Sequence, residues 1–226
     1  ETPSKLTEAD LLKQGYQLKW QDNFDGNFLN RADWNVELHE KGWVNSEWQE
    51  YVDSDKNIQV KDGKLLIKPV ETVNADGTRS YTSGRINTQG KHDFKYGYFE
   101  CRAKVPTGKG YLPAFWMMPT DENLYGQWPK CGEIDIMEVM GQETNKAYGT
   151  IHYGEPHDQS QGTCTVDAKN NFADQYHTYA CDWEPGKVFH AYVDELPPPP
   201  KDATEARRTR VATEDYRVPF SIYMEE

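Results

Sequence analysis

The 226-residue chain has little cysteine, a shortage of positive charge and no long apolar run. Its four cysteines, Cys101, Cys131, Cys164 and Cys181, are too few for a disulfide framework, and their spacings of 30, 33 and 17 fit no zinc motif. Most of them read as buried free thiols, with one disulfide still open. No stretch of about 18 apolar residues occurs, which excludes a membrane-spanning helix of the usual kind. No Asn-x-Ser/Thr sequon and no secretion signal are visible, so a mature secreted protein and a cytosolic one both remain open. Lysine and arginine number 25 against 37 acids, for a net charge of −12. That balance argues against nucleic acid, anionic membranes and strongly anionic polymers as partners.

Helical periodicity is also scarce. Only residues 1–15 suggest a helix, a short N-terminal extension with a capping box from Thr7 to Asp10 and a stop at Gly15. After it come short β-rich runs divided by Gly, Asn, Asp and Pro. "NIQVKDGKLLIKPV" (57–70) predicts a hairpin turning at Asp62-Gly63, and "YACDWEPGKVFHAYVDE" (179–195) another turning at Pro185-Gly186. "KYGYFECRAKVP" (95–106) alternates, with Tyr98, Glu100, Arg102 and Lys104 on one face. "KAYGTIHYG" and "YRVPFSIYM" read as further strands, whereas Pro197–Pro200 cannot lie in a central strand and reads as an extended loop. The spacing of strands predicts an all-β sandwich or jelly roll rather than an α/β fold. One domain over 1–226 is expected, with 197–226 as an atypical C-terminal tail.

Against that background "CGEIDIMEVMG" (131–141) stands out. It sets Glu133, Asp135 and Glu138 among Ile134, Ile136, Met137 and Val139. Buried acids are costly unless paired or put to use. Side chains alternate along a strand, so Glu133 and Asp135 share a face while Glu138 falls out of phase. One extra residue, a β-bulge near Ile136 and Met137, brings Glu138 back to the acid face and keeps the aliphatic residues inside. Glu133 and Glu138 then lie about 13 Å apart at their Cα atoms, given roughly 3.3 Å per strand step. Inward-leaning side chains bring the carboxyls to roughly 5–6 Å, the separation of a retaining rather than an inverting glycosidase. Mutual repulsion among three close carboxyls keeps at least one protonated near neutral pH. A solvated acidic face is the ordinary meaning of alternating acids, but the out-of-phase third acid and the lack of Lys or Arg in the run count against it. A divalent cation held by the three carboxylates is the other alternative; calcium, which takes about six to eight oxygens mostly from loops, is poorly served by one regular strand.

E-I-D-I-M-E with the extra Met resembles the active-site strand of glycoside hydrolase family 16, in its bulged branch of laminarinases, agarases and endo-β-galactosidases. Four other segments share the resemblance: "WQDNFDG" (20–26), "YTSGRINTQGKHDFKYGYFECRAKVPTGKGYLPAFWMMP" (81–119), "GTIHYG" (149–154) and "YHTYACDWEPGKVFHAYVDE" (176–195). It covers residues 16 to 195. It implies a β-jelly roll of two antiparallel sheets with a glycan cleft on the concave face. Glu133 would be the nucleophile, Asp135 the assisting carboxylate and Glu138 the general acid/base of a double displacement with net retention. No cofactor is implied, and the residues here do not support the structural calcium some members hold. The stretch after "VPFSIYM" departs from the family, which continues with a Gly-rich loop and a closing strand.

The resemblance also assigns substrate-binding residues. Trp116 and Trp128 flank the acidic strand and would stack on sugar faces, while Trp20, Trp34 and Trp183 read as core. Arg85 in "SGRI" is odd on a strand unless it reaches a ligand or an acid, and the family points to a sugar hydroxyl. Asn45 in "VNSEWQEY" is a similar candidate. His152 in "TIHYG" is expected to hydrogen-bond near Glu138, and His157 is a lesser candidate. The expected activity is an extracellular or cell-surface, monomeric, endo-acting β-glycosidase on a polysaccharide, most readily a β-1,3- or mixed β-1,3/1,4-glucan. An endo-β-galactosidase acting on host glycans is the alternative within the class. A non-catalytic carbohydrate-binding jelly roll is the alternative outside it, although binding alone has no need of both glutamates.

Overall fold

A computed structural model describes residues 8–193, 208–211 and 220–225. In chain order it has a helix α1 (Glu8–Lys13) and then β1 (Asn35–Val36), β2 (Gln49–Tyr51), β3 (Ile58–Val60), β4 (Leu65–Ile67), β5 (Val70–Val73), β6 (Arg79–Ser83), β7 (Arg85–Asn87) and β8 (Asp93–Phe94). There follow β9 (Gly97–Ala103), β10 (Ala114–Pro119), β11 (Glu133–Val139), β12 (Lys146–Tyr153), β13 (Asp158–Thr165), β14 (His177–Glu184), β15 (Lys187–Val193), β16 (Arg208–Val211) and β17 (Phe220–Glu225). None of the described helices is long and apolar enough to cross a membrane.

Local chemistry explains the elements. Gly15 ends the N-terminal helix at φ +90°, a backbone region that costs glycine little. Thr7 of the expected capping box lies outside the described residues, as does Pro197–Pro200. The hairpin β3–β4 turns where expected: Asp62 and Gly63 both take positive φ, and Lys61 and Lys64 exchange backbone hydrogen bonds of 2.9 and 3.1 Å. Two positive φ values suit the twist of a two-residue hairpin loop. The hairpin β14–β15 turns at Pro185-Gly186, with Glu184 opposite Lys187.

The described residues fall into two compact units. One comprises 20–93 with 221–225. In it β1 pairs with β7 and β7 with β17, β2–β6–β5 form a small sheet, and β3 pairs with β4. The other comprises 8–19 with 94–193, 208–211 and residue 220. It contains an antiparallel run β10–β11–β12–β13 and a second antiparallel sheet in the order β16–β15–β14–β9. The strand β16 arises in a segment that reads as polar tail, where Arg-Thr-Arg-Val alternates with a β-branched end.

The core of this second unit is built from the aliphatic positions of one sheet and the aromatics of the other. Ile134, Val139 and Ile151 are fully buried, as are Tyr179, Cys181 and Trp183. Each large apolar side chain so buried contributes about 1.5–3 kcal/mol. All four cysteines are free thiols, so the open disulfide is not formed.

Backbone packing also clamps the end of β11. The Gly108 N–H donates to the Gly141 carbonyl at 2.9 Å, and the Gly141 N–H donates to that of Tyr111 at 2.8 Å. A Cβ on Gly141 would collide with the Gly108 carbonyl oxygen and lie 2.9 Å from Tyr111 Cβ. Gly141→Ala is therefore expected to destabilise the fold by about 1–3 kcal/mol, read as a lower urea midpoint at unchanged slope.

Candidate active site

The acidic strand β11 lies between β10 and β12, and its register is broken where the sequence demands. From Asp135 to Glu138 the strand takes three steps while its partner β12 takes two, from Thr150 to Tyr148. On the other side Asp135 and Met137 face adjacent residues, Trp116 and Phe115. Ile136 and Met137 form the bulge, and both are buried, at 4% and 3% exposure. Glu133 and Glu138 keep partial access to solvent, while Asp135 is buried. The aliphatic set therefore stays in the core, and Glu138 does not join it.

The charges on this face act on one another. Burial, then Asp135 through its charge and a side-chain hydrogen bond, pushes Glu133 up to about 9 from 4.5, opposed by His152 and by the Trp128 hydrogen bond. A hydrogen bond between two carboxyls needs a proton on one of them. Glu133 and Asp135 thus titrate as a unit carrying one proton and one charge at neutral pH. Burial, with the charge of Glu133, likewise raises Glu138, against the lowering effect of His152. Trp128 Nε1 donates to Glu133 Oε2 at 2.6 Å, and His152 Nε2 lies 3.0 Å from Asp135 Oδ2.

The raised Glu133 has a stability consequence. The folded chain holds the proton up to about pH 9, whereas the unfolded chain releases it near 4.5. Folding takes up a proton in that window, so this group's contribution to stability falls as pH rises from 4.5 to 9. Glu133→Gln removes the penalty. Its unfolding free energy at pH 8 is expected to exceed that of the unsubstituted chain by roughly 1–3 kcal/mol, and the gap to close by pH 4, as measured by urea titration at each pH.

Glu133, Asp135 and His152 also bring one donor atom apiece to within 4.8 Å of one another. Three donors fall well short of the six to eight oxygens (roughly) that calcium takes, and these three are already engaged with one another. The set fits proton sharing better than a cation.

The remaining expected residues divide. Trp128 is 47% exposed beside Glu133, with the His152 and His157 rings 5.8 and 5.1 Å from its own. Trp116, opposite Asp135 in register and so on the same face of the sheet, is only 7% exposed and presents little of its ring to solvent. Of the tryptophans expected in the core, Trp34 and Trp183 are buried at 2% and 1%, whereas Trp20 is only half-buried and packs edge-on against Trp34. His152 sits opposite Glu133 on β12 and bonds Asp135, and its charge also reaches Glu138.

Arg85 and Asn45 belong to the other unit. Of the two roles open to Arg85, an acid or a sugar hydroxyl, the structure shows the acid. Its guanidinium bonds Glu37 and, at 2.6 Å, Glu225, with Trp43, Tyr51 and Tyr223 around it. Burial opposes its charge, but Glu225 and Glu37 outweigh that and raise its pKa. Asn45 is exposed in a tight turn at φ +50°. The partners Glu37 and Glu225 stand 48 and 140 residues from Arg85, and no sequence signal links them.

With the geometry in place, three comparisons bear on it. A family model described as "Glycosyl hydrolases family 16" matches residues 43–224. The chain is 41% identical over 204 residues to a glucan endo-1,3-beta-glucosidase A1 of Niallia circulans, covering 83% of this chain and 30% of that protein. It is 42% identical over 201 residues to a glucan endo-1,3-beta-glucosidase of Cryptopygus antarcticus, covering 86% of this chain and 73% of that one. It thus spans under a third of the first relative's length and nearly three quarters of the second's. Its fold matches the X-ray structure of a laminarinase from Rhodothermus marinus with a TM-score of 0.76 at 30% identity, over 92% of this chain and 84% of that one. The fold is an all-β jelly roll, and the chain belongs to glycosyl hydrolase family 16.

Proposed function

We propose that this chain is a retaining endo-β-glucanase that cleaves β-1,3- or mixed β-1,3/1,4-glucan outside the cell without a cofactor. The observation that carries the reading is the bulge at Ile136 and Met137, which returns Glu138 to the face of Glu133. Both curated relatives described above are named as endo-1,3-glucosidases, which supports the choice of substrate.

In the first step Glu133 attacks the anomeric carbon while Glu138 protonates the glycosidic oxygen. The carbon–oxygen bond breaks, and a glycosyl ester forms on Glu133. In the second step Glu138, now a carboxylate, takes a proton from water, and that water's oxygen displaces Glu133 from the same carbon. Two inversions leave the β configuration. Burial, with the charge of Glu133, supports the acid role of Glu138, because it holds the proton at pH values where an ordinary glutamate has lost it. For the attack the proton shared by the pair passes to Asp135, which leaves the charge on Glu133. Trp128 supplies a ring face against which a sugar can stack.

A reducing-end assay over laminarin, lichenan, agarose and keratan sulfate tests the substrate. Release from laminarin, with or without lichenan, is expected. Release from keratan sulfate alone would assign an endo-β-galactosidase instead. Binding to laminarin with no product from any polymer would reduce the chain to a carbohydrate-binding module.

A further inference from the structure

His157 has no part in the steps above, yet it reaches the acids through a neighbour. It sits between β12 and β13, and its Nε2 is 2.9 Å from His152 Nδ1. The ring centroids are 5.2 Å apart and the planes 22° from parallel. The nitrogen–nitrogen contact and the two ring radii together account for nearly all of that separation. The imidazoles therefore meet edge to edge, nitrogen facing nitrogen, as in a hydrogen bond rather than a face-on stack.

A neutral imidazole has one N–H and one bare nitrogen, and the tautomer follows from the partners. The links run from His157 to His152, from His152 to Asp135, and from Asp135 to Glu133. Suppose His157 Nε2–H donates to His152 Nδ1. Then His152 carries its hydrogen on Nε2 and donates to Asp135 Oδ2. The proton of the carboxyl pair stays on the other oxygen of Asp135 and points at Glu133. Glu133 then accepts from Asp135 and from Trp128 and bears the charge. Now suppose the reverse. His152 Nδ1–H donates to His157, its Nε2 is bare, and Asp135 must turn its proton toward it. With the pair's one proton turned to His152, Glu133 loses the hydrogen bond from Asp135 and faces a bare carboxyl oxygen within 4.8 Å; taking up a second proton relieves that repulsion and removes the charge needed for attack.

We propose that His157 is a positioning residue: its Nε2–H selects the His152 tautomer that leaves the negative charge on Glu133. The titratable groups facing His152 are Glu133, Asp135 and Glu138 from β11 and His157 from the loop. The loop's other charged member is Glu155, paired with Lys130 at 3.2 Å, and Asp158 opens β13. The inference deepens the proposed activity only in its kinetic arm.

The spectroscopic arm needs no turnover. Histidine 15N NMR of the full chain at one fixed pH, with His152 assigned through His152→Gln, reads which ring nitrogen carries hydrogen. The unsubstituted chain is expected to show His152 with hydrogen on Nε2 alone. His157→Phe, which has no donor, is expected to give a fraction with hydrogen on Nδ1. His157→Gln, whose amide N–H can donate, is expected to restore the single form. In the kinetic arm kcat is expected to fall about tenfold in His157→Phe with KM within about twofold, and to recover to within about threefold in His157→Gln. A His152 spectrum indifferent to His157→Phe would overturn the proposal even if the chain hydrolyses glucan well. So would a rise in KM at unchanged kcat, which would make His157 a substrate contact. Absence of hydrolysis in the unsubstituted chain alongside the expected spectra would leave the tautomer selection standing and count against the glucanase reading alone.

Discussion

Glu133→Ala is expected to lower kcat on laminarin by about 10⁴-fold or more while the fold and laminarin binding survive. The size follows from its role. Without the carboxylate no glycosyl ester forms, and the remaining acid can only protonate a leaving group that nothing displaces. The fold survives because Glu133 is a cost to stability in the pH window set out above rather than a support. Added azide, small enough to enter the vacated space, is expected to restore cleavage of an activated aryl β-glycoside and to give an α-glycosyl azide, since only one displacement then takes place. Circular dichroism and laminarin affinity separate loss of chemistry from loss of structure. More than about 1% residual kcat would remove Glu133 from the nucleophile role.

Glu138→Ala is expected to lower kcat on laminarin by about 10²–10⁴-fold, the usual worth of a general acid. The loss should be far smaller for an aryl glycoside whose leaving group needs no proton. That dependence on leaving group marks an acid. A purely structural role for Glu138 would depress both substrates alike. Azide should again accelerate the reaction, here by attacking the glycosyl ester without needing a base, and the azide product should be β. Opposite anomers from the two substitutions would distinguish nucleophile from acid/base on products alone. Their burial cannot, because it raises both glutamates.

Much of this site is legible in eleven residues. Strict alternation sends Glu138 into the core, burying a charge there costs several kcal/mol (roughly), and a bulge is the cheap escape. Ile136 and Met137 carry the register shift for that reason. Turns are legible on similar grounds: Asp62-Gly63 accepts two positive φ values that few pairs tolerate. What the sequence hides is pairing across distance. Arg85 looks like a ligand contact because a lone arginine on a strand needs an anion, and nothing local names Glu37 or Glu225. Trp116 and Trp128 look alike as tryptophans near the acids, yet one is in the core and the other at the surface. Burial depends on which strands flank each, not on the residue type. His157 reads as marginal because its meaning lies in a contact with His152 that only the turn between β12 and β13 creates.

A covalent bond at one carboxylate, Glu133, is what double displacement requires. An activated 2-deoxy-2-fluoro β-glucoside slows the second displacement and lets the glycosyl ester accumulate. Mass spectrometry of the intact chain followed by its peptides should then find one added glycosyl group, on Glu133. A sugar attached to Glu138, or continued turnover of the same compound with no adduct at any residue, would contradict it.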